Sequence, residues 1–162
     1  MRIHLVRHAD AGSRKKFAGP DDRRPLDPRG AAQAAALAEG LAEALSSSLA
    51  TCLVASPFVR CRQTLEPLGT RLSLPVTTEL ALAEGTSGAT ALDRLLSLGA
   101  DGGAVVACSH GDVIPAVLGE AARRGAVIDR SNGLPKASRY DLEVVDGEVL
   151  SGTFHPRPHP LD

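Results

Sequence analysis

The chain has 162 residues, 43% of them hydrophobic and 23% charged, with a formal net charge of −1. That length and balance fit one globular domain with its own core, over 1–162, and exclude a disordered chain. The small net charge argues against a nucleic acid polymer or an anionic membrane as partner; no apolar stretch nears the roughly 20 residues of a membrane span, and the run IHLV is too short for a secretion signal, so a cytoplasmic protein is expected.

Strand and helix signals alternate along the chain. IHLVR (3–7) reads as a strand, followed by a stretch rich in Gly, Pro and charge, GSRKKFAGPDDRRPL. Asp27-Pro28 opens a helix, with Asp27 as N-cap and Pro28 at its first position. Ala34, Leu37, Ala38, Leu41 and Leu45 recur along it at helical spacing. CLVAS (52–56) is a second strand, and Pro57 to about Arg71 a second helix with Pro at its start. VTT (76–78) is a short strand and Ala89 to Leu98 a helix. AVVACS (104–109) is a continuous apolar run, as in a strand buried on both faces. Val113 to Arg124 is a further helix, with Pro115 in its first turn. RYDLEVV (139–145) and EVLSGTF (148–154) flank Asp146-Gly147, a two-residue hairpin signal. The tail HPRPHPLD is expected to be irregular.

This order predicts an α/β fold: a three-layer α/β/α sandwich whose central sheet is mostly parallel, with an antiparallel C-terminal hairpin at the edge. In open α/β sheets ligands bind beyond the carboxyl ends of the strands. Arg7 and His8 stand at the first such end. Ser56-Pro57 stand at the second, with Arg60 in the helix that follows, and His110 and Gly111 stand after AVVACS. Any one of these residues alone reads as an ordinary surface or structural side chain. Together, two arginines and two histidines at one rim form a pocket for a doubly charged oxyanion, because the guanidinium fork suits phosphate oxygens.

Cysteine chemistry is excluded on spacing. Cys52, Cys61 and Cys108 form no framework and no C-x-x-C pair. A thiol phosphatase loop needs Arg six residues after its Cys, and Phe58, Pro67 and Ile114 stand there instead. No carboxylates cluster as for Mg²⁺ and no His/Cys spacing suits zinc, so neither metal nor other cofactor is expected.

The segments LVRHADAG, ASPFVRCRQT, LALAEG and VACSHGD resemble the histidine phosphatase superfamily (phosphoglycerate mutase-like). The short chain, with no large insertion, is similar to SixA-type phosphohistidine phosphatases. RHADAGSRKKF and RPLDPRG also resemble the phosphatase half of two-domain Nudix hydrolases. Ala9 stands where the family usually has Gly. The resemblance covers about 1 to 145 and implies a metal-independent phosphatase. His8 would be the nucleophile that forms a phosphohistidine, Arg7, Arg60 and His110 would hold the phosphoryl oxygens, and Glu84 would shuttle the proton. Glu84 follows Leu82 in the family's Leu-x-Glu pattern, while Glu79 is the nearby alternative. Ser13, Arg14 and Lys15, in the long loop 12–26 after His8, and Gly111 would contact substrate, with Arg14, Lys15 and Lys16 meeting further negative charge such as a second phosphate; a solvated basic turn is the plain alternative for that loop. Lys136 and Arg139 lie in LPKASRY, which also reaches toward the rim. The expected partner is a phosphorylated small molecule or a phosphoprotein, phosphohistidine proteins and nucleotides among them. A phosphoglycerate-mutase-like transferase and a non-catalytic phosphate-binding protein remain as alternatives.

Overall fold

The computed structural model describes residues 1–48 and 51–159, so the last three residues of the tail lie outside it. The strands are β1 (Arg2–Arg7), β2 (Thr51–Ala55), β3 (Val76–Thr78), β4 (Ala104–Ser109), β5 (Val127–Ile128), β6 (Arg139–Val145) and β7 (Glu148–His155). The helices are α1 (Pro28–Ala44), α2 (Val59–Leu72), α3 (Gly88–Leu98) and α4 (Val113–Arg123). Single 3₁₀ turns cover Arg14–Lys16, Asp21–Arg23 and Leu80–Leu82.

The strands form one sheet in the order β3-β2-β4-β1-β6-β7-β5. β6 runs antiparallel to both of its neighbours, and every other pairing is parallel. The hairpin lies beside β1, with β5 beyond it at the rim of the sheet. β5 has only two residues, too few for an alternation to register in sequence. Asp146 and Gly147 both take positive φ, 51° and 78°, the geometry that lets a two-residue turn follow the twist of its strands.

Alternation along the strands sorts the core into two layers. Ile3, Leu5, Val105 and Ala107 face α3 and α4, packing on Leu92, Leu95, Ile114 and Val117. Val6, Val106 and Cys108 face α1 and α2, packing on Leu37, Leu41, Leu65 and Leu68. Each fully buried Leu of this kind contributes about 1.5–3 kcal/mol of apolar burial.

Helix starts follow local chemistry. Asp27 Oδ1 accepts the Gly30 N–H at 2.7 Å with Pro28 at the first position, and Ser87 Oγ caps α3 through Thr90 N–H. α2 begins at Val59, two residues after Pro57, with Phe58 as an N-cap that makes no side-chain bond. It continues through Pro67, which forgoes one backbone donor; buried Leu65 and Leu68 on either side hold it to the sheet. His155 is the last residue of β7, so the irregular tail starts one residue later than its sequence suggests.

Candidate functional site

Register brings the strand ends together. Arg7 lies opposite Ser109 in the β1–β4 pair, and Ala55 lies opposite Cys108 in the β2–β4 pair. Two further bonds extend these ladders past the strand ends: His8 N–H to Ser109 O at 3.1 Å, and Ser56 N–H to Cys108 O at 3.0 Å. His8, Ser56 and His110 therefore emerge side by side from β1, β2 and β4. The His8 and His110 rings lie edge to face with centroids 5.5 Å apart.

His8 is buried, at 5% exposure. Its Nδ1–H donates to Ala9 O at 2.8 Å, which leaves Nε2 as the unprotonated nitrogen. Burial is the largest cause lowering its pKa; the bond to Ala9 opposes this, and the charges of Arg60, His110 and Lys136 add to it, to a value of about 3. Desolvation, more than the neighbouring charges, keeps the ring neutral. Ala9, in place of the usual Gly, is fully buried, and its N–H donates to Thr64 Oγ1 at 3.0 Å. Thr64 in turn donates to Arg60 O, so one hydroxyl joins the segment after β1 to the first turns of α2.

Arg60, 1% exposed, is the centre of the charge network. Its Nε–H faces His8 Nε2 at 3.3 Å. Its terminal nitrogens donate to Glu84 Oε1 at 2.8 Å, Asp21 Oδ2 at 3.1 Å and Asp21 O at 2.8 Å. The guanidinium stacks over Phe58, whose ring also meets His110. A buried guanidinium is tolerable only with such pairing.

Asp21 was absent from the sequence expectations. Burial works to raise its pKa, but Arg24, Arg60 and Arg14 outweigh it and hold the carboxyl at about 2. Ser56 was placed at the rim but given no role: its Oγ lies 2.7 Å from His110 Nε2, so the ring turns Nδ1 toward Glu84 Oε1, 3.3 Å away. Of the two acidic candidates, Glu84 sits against Arg60 and His110, held in a loop whose Gly85 N–H donates to Asp112. Glu79 points elsewhere, to Arg94 and to Ala81 N–H.

The remaining candidates divide. The Arg7 guanidinium donates to Leu134 O and lies flat against Gly111, where a Cβ would come within 2.9 Å of it. Arg14 is exposed but reaches Glu84 and Asp21. Ser13 and Lys15 are exposed and make no side-chain bond to the cluster among the described residues. Arg139 turns away to Asp141 on β6, whereas Lys136 lies 4.0 Å from Asp10 Oδ1, and its charge acts on His8. Arg7 Nε and His110 Nδ1 are buried nitrogens that make no hydrogen bond among the described residues, although His110 Nδ1 lies 3.3 Å from Glu84 Oε1.

The model of the histidine phosphatase superfamily (branch 1) matches residues 3–91, which include His8, Arg60 and Glu84. An 8-oxo-(d)GTP phosphatase of Mycolicibacterium smegmatis is 37% identical over 96% of this chain. The chain spans about half of that relative, 48% of its length. Among solved structures, the protein histidine phosphatase SixA complexed with tungstate superposes with a TM-score of 0.73 at 23% identity, over 99% of this chain and 97% of that one. A mycobacterial glucosyl-3-phosphoglycerate phosphatase in complex with VO₃ gives 0.69 at 18% identity, over 95% and 96%. At those identities the likeness is one of fold. No described helix is long and apolar enough to cross a membrane.

Proposed function

The chain belongs to the histidine phosphatase superfamily, and on that premise we propose that it is a phosphatase acting through a phosphohistidine on His8. One observation carries the reading: a buried, neutral imidazole presents Nε2 to Arg60, beside two buried nitrogens that make no hydrogen bond among the described residues.

The His8 Nε2 lone pair attacks phosphorus, and the bond from phosphorus to the leaving group breaks. Glu84 gives a proton to the leaving atom. Water then attacks the phosphohistidine, Glu84 takes its proton back, and the P–N bond breaks to restore neutral His8 and release phosphate. Arg60 and those nitrogens of Arg7 and His110 neutralise the phosphoryl oxygens. An incoming dianion competes with Asp21 and Glu84 for Arg60. Phosphoryl transfer is mostly positioning and electrostatics, and one arginine in place is worth on the order of 10³ or more in rate. In this scheme the protein's own cations do the work of a metal ion.

The substrate we infer is a phosphorylated small molecule, a nucleotide being supported by the name of the 37% identical relative. Phosphoproteins are the second reading, supported by a site at the open strand ends.

The test is turnover of p-nitrophenyl phosphate by the wild type and His8→Ala. Activity that survives EDTA, falls at least a thousandfold in the variant and is blocked by vanadate is expected, with acid-labile phosphate trapped on the wild type only. A His8→Ala variant as active as the wild type removes the mechanism. A screen over nucleoside di- and triphosphates and a phosphohistidine protein then assigns the substrate.

A further inference from the structure

The loop before β6 is fastened to the nucleophile's own backbone. Ala137 N–H donates to both Arg7 O and His8 O, at 3.1 and 3.3 Å, and Arg7 N–H donates back to Ser138 O at 3.0 Å. Within the loop, Ser138 N–H and Oγ both donate to Pro135 O, which closes a β-turn with Lys136 and Ala137 at its centre. Ala137 takes φ 63°, the left-handed backbone that a turn with this bond favours at its third position and that glycine usually fills. It is fully buried. Non-glycine residues held in this region cluster at functional sites.

The turn places Lys136 one residue before the backbone bond to His8 O, next to Asp10. The side chain is 29% exposed, and its nearest carboxylate, Asp10 Oδ1, is 4.0 Å away. The other oxygen of Asp10, Oδ2, is held by Gln33 at 2.7 Å and Arg29 at 3.2 Å. Several other cations near the site have partners. Arg60 and Arg14 are on Asp21 and Glu84, Arg24 is on Asp21 and Ala11 O, and Arg7 is on Leu134 O. Lys136 makes no hydrogen bond among the described residues. Burial works on it, and the charges of Arg7, Arg24 and Arg60 act against its proton despite Asp10, which places it in the same field as the phosphoryl-binding groups.

We propose that Lys136 is a specificity-determining residue whose ammonium binds a second phosphate of the substrate, adjacent to the phosphoryl group poised on His8. The substrate class is then a phosphoanhydride, such as a nucleoside di- or triphosphate, in preference to a lone monoester. This rests on the His8 pocket being the phosphoryl site. A point charge on a flexible stem suits a second phosphate whose distance from the first varies with the substrate.

The test compares inorganic phosphate with pyrophosphate by calorimetry on the wild type, Lys136→Met, Lys136→Arg and Arg60→Ala, with circular dichroism to confirm folding. Lys136→Met is expected to cut the preference for pyrophosphate over phosphate about tenfold, and Lys136→Arg to restore most of it. The ratio of kcat/KM for a nucleoside diphosphate over p-nitrophenyl phosphate should fall in parallel. An unchanged preference, with both anions weakened equally or neither weakened, overturns the assignment of Lys136 while leaving the His8 pocket standing. Wild-type protein that binds neither anion, or phosphate binding indifferent to Arg60→Ala, overturns the pocket itself and this inference with it.

Discussion

His8 can act as a nucleophile only with its Nε2 lone pair free, so its protonation state sets the working range of the site. Its pKa in the fold is about 3, against about 6.5 unfolded. The unfolded chain therefore binds the extra proton between those values, and folding stability falls as pH drops through that window. The His8 ring resonances in an NMR titration should stay flat from pH 8 to 5. The loss of stability between pH 6.5 and 4, read as the urea midpoint, should be smaller in His8→Asn than in the wild type. A ring that titrates near 6.5 would place His8 in water rather than in the pocket. Sequence inspection reaches His8, Arg60, Glu84 and His110, because each closes a strand end or follows one within a few residues. It places Ser56 and Lys136 at the rim without giving either a defined role, and gives none to Asp21: single polar residues in loops carry no periodic signal, and their partners lie far along the chain.

At the scale of elements, α1 and the segment after β1 meet at the closest approach in this half of the fold. A Cβ on Gly30 would fall 1.8 Å from Asp10 O, a backbone atom that also accepts the Asp27 N–H. Gln33 bonds Asp10 from the next turn of α1, so the helix fixes the residues immediately after His8. Gly30→Ala must push that backbone away. Loss of about 1–3 kcal/mol in denaturant unfolding is expected, along with a fall in kcat, because the displaced segment carries the nucleophile. Unchanged kcat with lowered stability would show that α1 supports the fold but not the site. The Asp27-Pro28 start of this helix is legible from two adjacent residues, whereas the requirement for glycine at position 30 is visible only once Asp10 lies across it.

Across the whole molecule, a polar cluster ties the first strand to the last two. His4 on β1, 1% exposed, meets Asp141 on β6 at 2.7 Å, and Asp141 also holds Arg139 and His155 of β7 at 2.9 Å. Burial works to raise the Asp141 pKa, but His4 and Arg139 outweigh it and bring it to about 2. Its contribution to stability is present above the unfolded carboxylate value near 3.9 and is lost as pH falls toward 2. Asp141→Asn should cost about 2 kcal/mol at pH 7 and flatten the acid limb of the stability curve below pH 4. An acid limb as steep in the variant as in the wild type would move that pH dependence to other carboxylates.

The strands other than β5, the helices, the layer order and the ends of β1, β2 and β4 follow from the sequence by itself, because hydrophobic period, proline and caps act over a few residues at a time. The tertiary structure alone decided that β6 runs against β1. That direction delivers Pro135–Ser138, and Lys136 with it, to the carboxyl end of β1 instead of the far side of the sheet. It likewise decided that Asp21 lies on Arg60. Pairing direction and loop placement depend on contacts far apart in sequence, 39 residues between Asp21 and Arg60 and 127 between Arg7 and Leu134, and no local pattern of residues encodes them.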